Sequence, residues 1–391
     1  MTTARSRSTR WSGPPESFGQ ASNGLVVRRP WRTNLSRCLV TILLPAERRI
    51  SVTSFWRRLP ILLLASLLMV CASASWGQEV RFLRIGTGGT GGTYFPIGGL
   101  IASVISKPPG SRDCEVGGSC GVPGLIATAV STQGSVENVQ SVQKGELEMA
   151  LTQADVAYYA YSGEGVFADG DPLSSLRAMA RLYPEVVHIV VRAGSDITSV
   201  ADLAGRRVSV GEAESGTLVA SRLILAGYAL SLDRIEPSFH KLGRASDLLI
   251  AEEIDAFFMV GGHPLGAIGL AAENHDLRLV SISGEAAEAI VAANPFFARD
   301  TIPAGQYRNI GETETLSVSA QLIASEQMHP DLAYRILRAL WHPNNRPVLD
   351  TGHPNAAQIR LESALDGIAI PLHPGAARFY EEVGLTRAGV Y

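Results

Sequence analysis

From residue 80 onward the chain repeats one plan: a short apolar run, a turn rich in Gly, Ser and Thr, then apolar residues at helical spacing. Residues 80–87 read as a strand, and 94–106 as a helix with Ile97, Leu100, Ile101, Val104 and Ile105 on one side. Further strands are expected at 125–131, 148–152, 186–191, 207–211, 255–260, 277–282 and 317–324. Helices are expected at 136–144, 216–227, 244–253, 285–293 and near 375–383, with another marked by Leu332, Ala333, Ile336, Leu337, Leu340 and Trp341. Alternation of this kind predicts an α/β fold of mixed, mainly parallel sheets flanked by helices. With 46% apolar residues, the stretch 78–391 exceeds what one core usually holds. Two lobes are therefore expected, with crossovers near 184–192 and 312–320. Lobe I would comprise 78–190 and 317–391, and lobe II 191–316.

The turns carry the chemistry. Ile85-Gly-Thr-Gly-Gly-Thr-Gly-Gly-Thr-Tyr-Phe-Pro96 follows a strand and opens a helix. Glycines let the backbone approach a ligand, and a helix start offers unpaired N–H groups and a positive dipole end to an anion. Thr87, Thr90 and Thr93 add hydroxyls, and Tyr94 a phenol. Gly86, Gly88 and Gly91 also match a dinucleotide fingerprint, but no acidic strand end lies some 20 residues on, so no nucleotide cofactor is expected. Ser131-Thr-Gln-Gly-Ser135 is a second strand-to-helix turn, where Ser135 either caps the helix or meets a ligand. In Thr152-Gln-Ala-Asp155, Asp155 reads as a cap and Gln153 as the contact candidate. Val210-Gly-Glu-Ala-Glu-Ser-Gly-Thr217 repeats the logic in lobe II, where Ser215, Gly216 and Thr217 could offer N–H groups to a carboxylate. Glu212 and Glu214 oppose an anion there and would face an ammonium group or solvent. On this reading Thr93→Ala should change little, whereas Gly92→Val should block binding.

The ends and the charges set the compartment. Lys+Arg number 34 and Asp+Glu 37, but 1–77 holds 11 Arg, no Lys, and only Glu16 and Glu47, so a +9 leader precedes a −12 body. An acidic body argues against a nucleic-acid partner. Arg57 and Arg58, the apolar run Ile61–Val70 and the small residues after it form a secretory signal, since a membrane span needs about 20 apolar residues. The protein is thus expected to be exported to the periplasm. Residues 1–50 read as a preface ahead of the true start. Cys38 and Cys71 lie in the leader; Cys114 and Cys120 remain, and export favours a disulfide over two free thiols. Without further ligands nearby, the pair is not a zinc site. No catalytic motif is present; His263, His329, His342, His353 and His373 adjoin Pro or turn residues and read as structural.

The body resembles the solute-binding receptors of TRAP transporters, of the TAXI type. The residues that carry the likeness are Leu83-Arg-Ile-Gly-Thr-Gly-Gly-Thr-Gly-Gly-Thr-Tyr-Phe-Pro, Ser131-Thr-Gln-Gly-Ser-Val-Glu-Asn-Val, Leu147-Glu-Met-Ala-Leu-Thr-Gln-Ala-Asp-Val-Ala-Tyr, Leu182-Tyr-Pro-Glu-Val-Val-His, Gly216-Thr217 and Ile370-Pro-Leu-His-Pro-Gly-Ala. The resemblance spans about 82–385. It implies a two-lobed periplasmic-binding-protein-like fold with two interlobe crossovers, closing on glutamate, glutamine or a dicarboxylate and serving the membrane subunits of such a transporter. It implies no enzyme activity, cofactor or metal. Its ligand contacts would be Thr90, Gly92, Tyr94, Ser131, Thr132, Ser135, Gln153, Ser215, Gly216 and Thr217. Gln133 departs from the family's turn. Because these motifs hold no Arg or Lys, ligand carboxylates would rest on N–H groups, hydroxyls and Tyr94, with Arg177 and Arg181 the nearby basic candidates. A periplasmic sensor subunit for a membrane signalling protein and an exported hydrolase are the rival readings.

Overall fold

The computed structural model of the protein describes residues 79–385. The expectations for the leader, 1–77, lie outside the described residues. β1 (Arg81–Gly86) leads through the glycine-rich turn into α1 (Tyr94–Ile105). β2 (Ser106–Lys107) and β3 (Val122–Pro123) form a small separate parallel pair around the cysteine loop. β4 (Leu125–Val130), α2 (Ser135–Lys144), β5 (Met149–Gln153) and α3 (Ala154–Ser162) continue the alternation. The long β6 (Leu176–Arg192) is followed by β7 (Arg207–Ser209), α4 (Gly216–Gly227), β8 (Glu236–Ser238) and α5 (Leu242–Ile250). Then come β9 (Ala256–Gly261), α6 (Gly266–Asn274), β10 (Leu277–Leu279), α7 (Gly284–Ala293), β11 (Phe297–Ile302) and a second long strand, β12 (Thr313–Ser325). α8 (Pro330–Leu340), α9 (Arg346–Gly352) and α10 (Pro374–Glu382) complete the fold.

The main sheet runs β4-β1-β5-β12-β6-β9-β7-β8, with β10 beside β6 and β11 beside β12. β1 pairs in parallel with β4 and β5, and β7 with β8 and β9. Every antiparallel pair among the described strands includes β6 or β12. Two parallel wings are thus joined by two long strands, which is the mixed, helix-flanked α/β arrangement expected. β6 pairs with β12 from Leu176 to Val186 and with β9 from Val186 to Val191. β12 pairs with β11 up to Val318 and with β5 from Ala320 onward. The β6–β12 register shifts between Ser319 and Gln321, next to Pro184, which has no N–H to give the ladder.

Alternating side chains of β6 feed different cores. Val187 and Ile189 join Val208, Ile224, Phe258 and Ile290 on one face, while Val186 and Val190 join Leu248, Phe257 and Ile268 on the other. A third cluster packs β1 and β5 residues Ile85 and Leu151 against Ile97 and Ile101 of α1 and Ile336 and Leu337 of α8. Four His-Pro steps act as helix or turn caps: Nδ1 of His329, His342, His353 and His373 accepts from the N–H of Asp331, Asn344, Asn355 and Gly375 at 3.2, 3.2, 3.1 and 3.1 Å. Cys114 and Cys120 are bonded to each other and close the loop between β2 and β3.

Candidate functional site

Parallel β1, β4 and β5 end at one edge, so the turns after them are neighbours. Buried Asn138 ties them together: its Nδ2 donates to Thr87 O at 2.6 Å and Leu151 O at 2.7 Å, and its Oδ1 accepts from Thr132 Oγ1 at 2.9 Å. In the other wing β7 and β8 lead into α4 and α5. A cavity of about 390 Å³ lies between the two groups of turns. Its wall includes the first residues of α1 (Thr93, Tyr94), α2 (Gly134, Ser135), α4 (Ser215, Gly216, Thr217) and α5 (Lys241 to Arg244), and Gln153 just ahead of α3. Five helix starts therefore meet at one space, where orphan N–H groups and dipole ends favour negative charge.

The turns touch across the cavity. Glu214 O accepts from Val136 N at 3.1 Å and Glu137 N at 3.2 Å, so a residue of the 210–217 turn satisfies first-turn donors of α2. Gln133 Nε2 donates to Glu214 Oε2 at 3.2 Å, and Thr93 Oγ1 accepts from Gly262 N at 3.2 Å. Gly134 holds φ at +124°, a conformation that side chains resist, and its Cα faces Ser215. Gly216 approaches so closely that an added Cβ would fall 2.0 Å from Gln153 Oε1 and 2.8 Å from Ser135 Oγ.

The charges divide by depth. At the mouth, Lys241 and Arg244 are exposed, and Glu212 Oε1 lies against Gly89 beside the Lys241 stem. Burial pushes the Glu212 carboxyl up to about 7, with Lys241 pulling the other way. At the base, Glu185 is only 1% exposed and accepts from Tyr94 Oη at 2.7 Å. Burial drives its carboxyl up to about 8; the Tyr94 bond opposes this and the Asp155 charge adds to it. Asp155, in the first turn of α3, is fully buried, and neither oxygen has a hydrogen-bond partner among the described residues. Burial raises it to about 7, although backbone N–H groups of Asp155 and Val156 lie near enough to pull it down somewhat.

Eight of the expected contact residues line this cavity: Thr90, Gly92, Tyr94, Ser135, Gln153, Ser215, Gly216 and Thr217. Ser131 and Thr132 do not. Ser131 Oγ donates to Gly88 O at 3.0 Å, and Thr132 Oγ1, whose hydrogen serves Asn138, accepts from Gly134 N at 3.1 Å, so both hold the turns in place. Arg177 and Arg181 belong to β6 and lie off the cavity: Arg177 pairs with Glu326, and Arg181 Nε donates to Ser319 Oγ at 3.1 Å. Lys241 and Arg244, not singled out in the sequence, stand where basic groups were expected. Asp155 makes no capping bond. Thr93 is buried and bridges to Gly262, so Thr93→Ala is no longer expected to be mild. An added Cβ at Gly92 would meet the flexible end of Met259 at 3.2 Å and Gly89 O at 3.5 Å, a looser fit than at Gly216, which is a second and closer approach.

The chain belongs to the NMT1-like family, whose model matches residues 85–384. It is also similar to several solved structures. One is the alkanesulfonate-binding protein SsuA from Xanthomonas axonopodis pv. citri bound to MOPS, at 15% identity and TM-score 0.42, covering 78% of this chain and 84% of that one. Another is the periplasmic aliphatic sulphonate binding protein SsuA from Escherichia coli, at 14% and 0.41 with the same coverage. A third is a putative L-cystine ABC transporter structure from Listeria monocytogenes, at 12% and 0.41, covering 72% of this chain and 99% of that one.

Proposed function

We propose that this protein is an exported receptor that closes two lobes, 78–190 with 317–391 and 191–316, over one small carboxylate-bearing solute. It hands that solute to the membrane subunits of a TRAP transporter of the TAXI type, with no chemistry performed. The observation that carries the reading is the meeting of five helix starts, drawn from both sides of the crossovers, at one cavity. That space suits a solute of amino-acid or dicarboxylate size. Its mouth offers first-turn N–H groups and the cations Lys241 and Arg244 to a carboxylate. Among the lining residues there is no His or Cys, and the Ser215 hydroxyl is engaged with Glu212 O and Leu218 N. The wall therefore holds no Ser–His or Cys–His pair, which favours binding over hydrolysis of that kind.

The test is a thermal-shift screen of the mature protein against amino acids, dicarboxylates and their amides. A solute at 100 times its dissociation constant should stabilise the protein by about 2.7 kcal/mol. No stabilisation by any small carboxylate would refute the receptor reading.

A further inference from the structure

We propose that Glu185, with the Tyr94 hydroxyl on one of its oxygens, seats a cationic nitrogen of the solute, so that the cleft selects amine-bearing solutes over keto or hydroxy acids of the same shape. The inference rests on the receptor reading and names the feature of the solute that the base of the cleft recognises.

The geometry is that of an acceptor site awaiting a donor. Glu185 lines the cavity, and one of its oxygens takes the Tyr94 hydroxyl at 2.7 Å. Its Oε1 has no hydrogen bond among the described residues. Gln153 lines the same cavity, but its Oε1 is turned from it and packed against Gly216. One oxygen of a buried carboxyl thus faces the cavity without a partner among the described residues, where a cationic donor would gain a charge-assisted hydrogen bond. No Lys or Arg among the described residues contributes to the charge balance of Glu185 or Asp155. A dicarboxylate or keto acid brings only further acceptors to this end. An ammonium group brings three donors and a compensating charge, while the carboxylate of the same molecule lies toward the helix starts and the mouth.

The groups facing Glu185 are Tyr94 from α1, Asp155 from α3 and Tyr183 from β6 itself; Glu212, Lys241 and Arg244 stand farther out along the same cavity. None of the near three supplies a positive charge. In the ligand-free cleft burial keeps the Glu185 carboxyl protonated at neutral pH, its acidity weakened to about 8. An incoming ammonium favours the carboxylate, so its entry drives the Glu185 proton out to solvent.

The experiment compares L-glutamate with 2-oxoglutarate, which differ at the nitrogen, by calorimetric titration at pH 6, 7 and 8 in buffers of different ionisation enthalpy. L-glutamate should bind on the order of 100-fold more tightly. It should release about one proton at pH 7, and its affinity should rise by up to tenfold per pH unit from 6 to 8. Glu185→Gln keeps the Tyr94 contact and should close most of the gap between the two compounds and abolish the proton release. Equal or tighter binding of 2-oxoglutarate, or binding of L-glutamate without proton release, would overturn the inference and leave the receptor reading standing. Failure of both compounds together with every other small carboxylate of the screen would overturn both.

Discussion

Asp155 shows what a single buried carboxyl does to this molecule. It has no cation and no side-chain hydrogen-bond partner among the described residues, and burial raises it to about 7 against an ordinary value of 3.8, with nearby backbone N–H groups opposing the rise. Between those values the folded protein keeps a proton that the unfolded chain has lost. The favourable contribution is complete below about pH 4 and disappears as pH rises through 7. Glu185 and Glu212, also raised, slope the same way. His188 slopes oppositely but at lower pH. It is buried, hydrogen-bonded from Tyr307 Oη at 2.9 Å and held down to about 3, so its contribution is lost only as pH falls below 6.5. The ligand-free protein should therefore lose stability from pH 6 to pH 8. Asp155→Asn should remove about 1 kcal/mol of that loss, measured by denaturant unfolding at the two pH values. An unchanged pH slope would contradict the burial account. Neither Asp155 nor Glu185 was singled out as a binding group in the sequence. Glu185 lies in an apolar strand, and its partner Tyr94 is 91 positions away. Nothing local marks such a pair.

At the scale of elements, the strand–turn–helix units were legible because their signals are local. Helical spacing gave α1, α2, α4 and α8 within a few residues, and the glycine-rich turns located three of the five helix starts around the cavity; the start of α3 was marked by the strand-to-helix turn at Gln153. α5 was expected at 244–253 and starts at Leu242, but its place at the cavity was not foreseen, because the turn that leads to it, with His240 and Lys241, has no glycine run. The first half of β6 was also missed. Leu176-Arg-Ala-Met-Ala-Arg lacks β-branched residues, and Pro184 interrupts the pattern; partners on β12 hold the strand extended instead. The junction of Gly216 with Gln153 is likewise a tertiary fact. Adding one methyl group there should open the junction by overpacking, at about 1–3 kcal/mol. Gly216→Ala should then weaken binding of the screened solute by roughly 10- to 100-fold. Gln153→Ala in the same chain should relieve part of the clash and restore its thermal stability. Wild-type affinity in Gly216→Ala, measured by titration, would contradict the close approach.

For the whole molecule, β6 and β12 matter most, because both run through the two wings and no other described strand does. On the proposed function they are the strands about which one wing would move relative to the other as the receptor closes. The contacts of Glu214 with α2 and of Thr93 with Gly262 are those a closed form would hold and an open form would release. Family membership and resemblance give this arrangement a context, but the physical claim is narrower: main-chain donors from both wings grip one solute. Amide chemical-shift mapping of the mature, deuterated protein during titration with the screened solute tests that claim directly. The account predicts the largest changes at Gly89 to Gly92, Ser135, Gly216, Thr217 and Gly243, spread over both wings. Changes confined to one wing, or to amides away from this cavity, would contradict it.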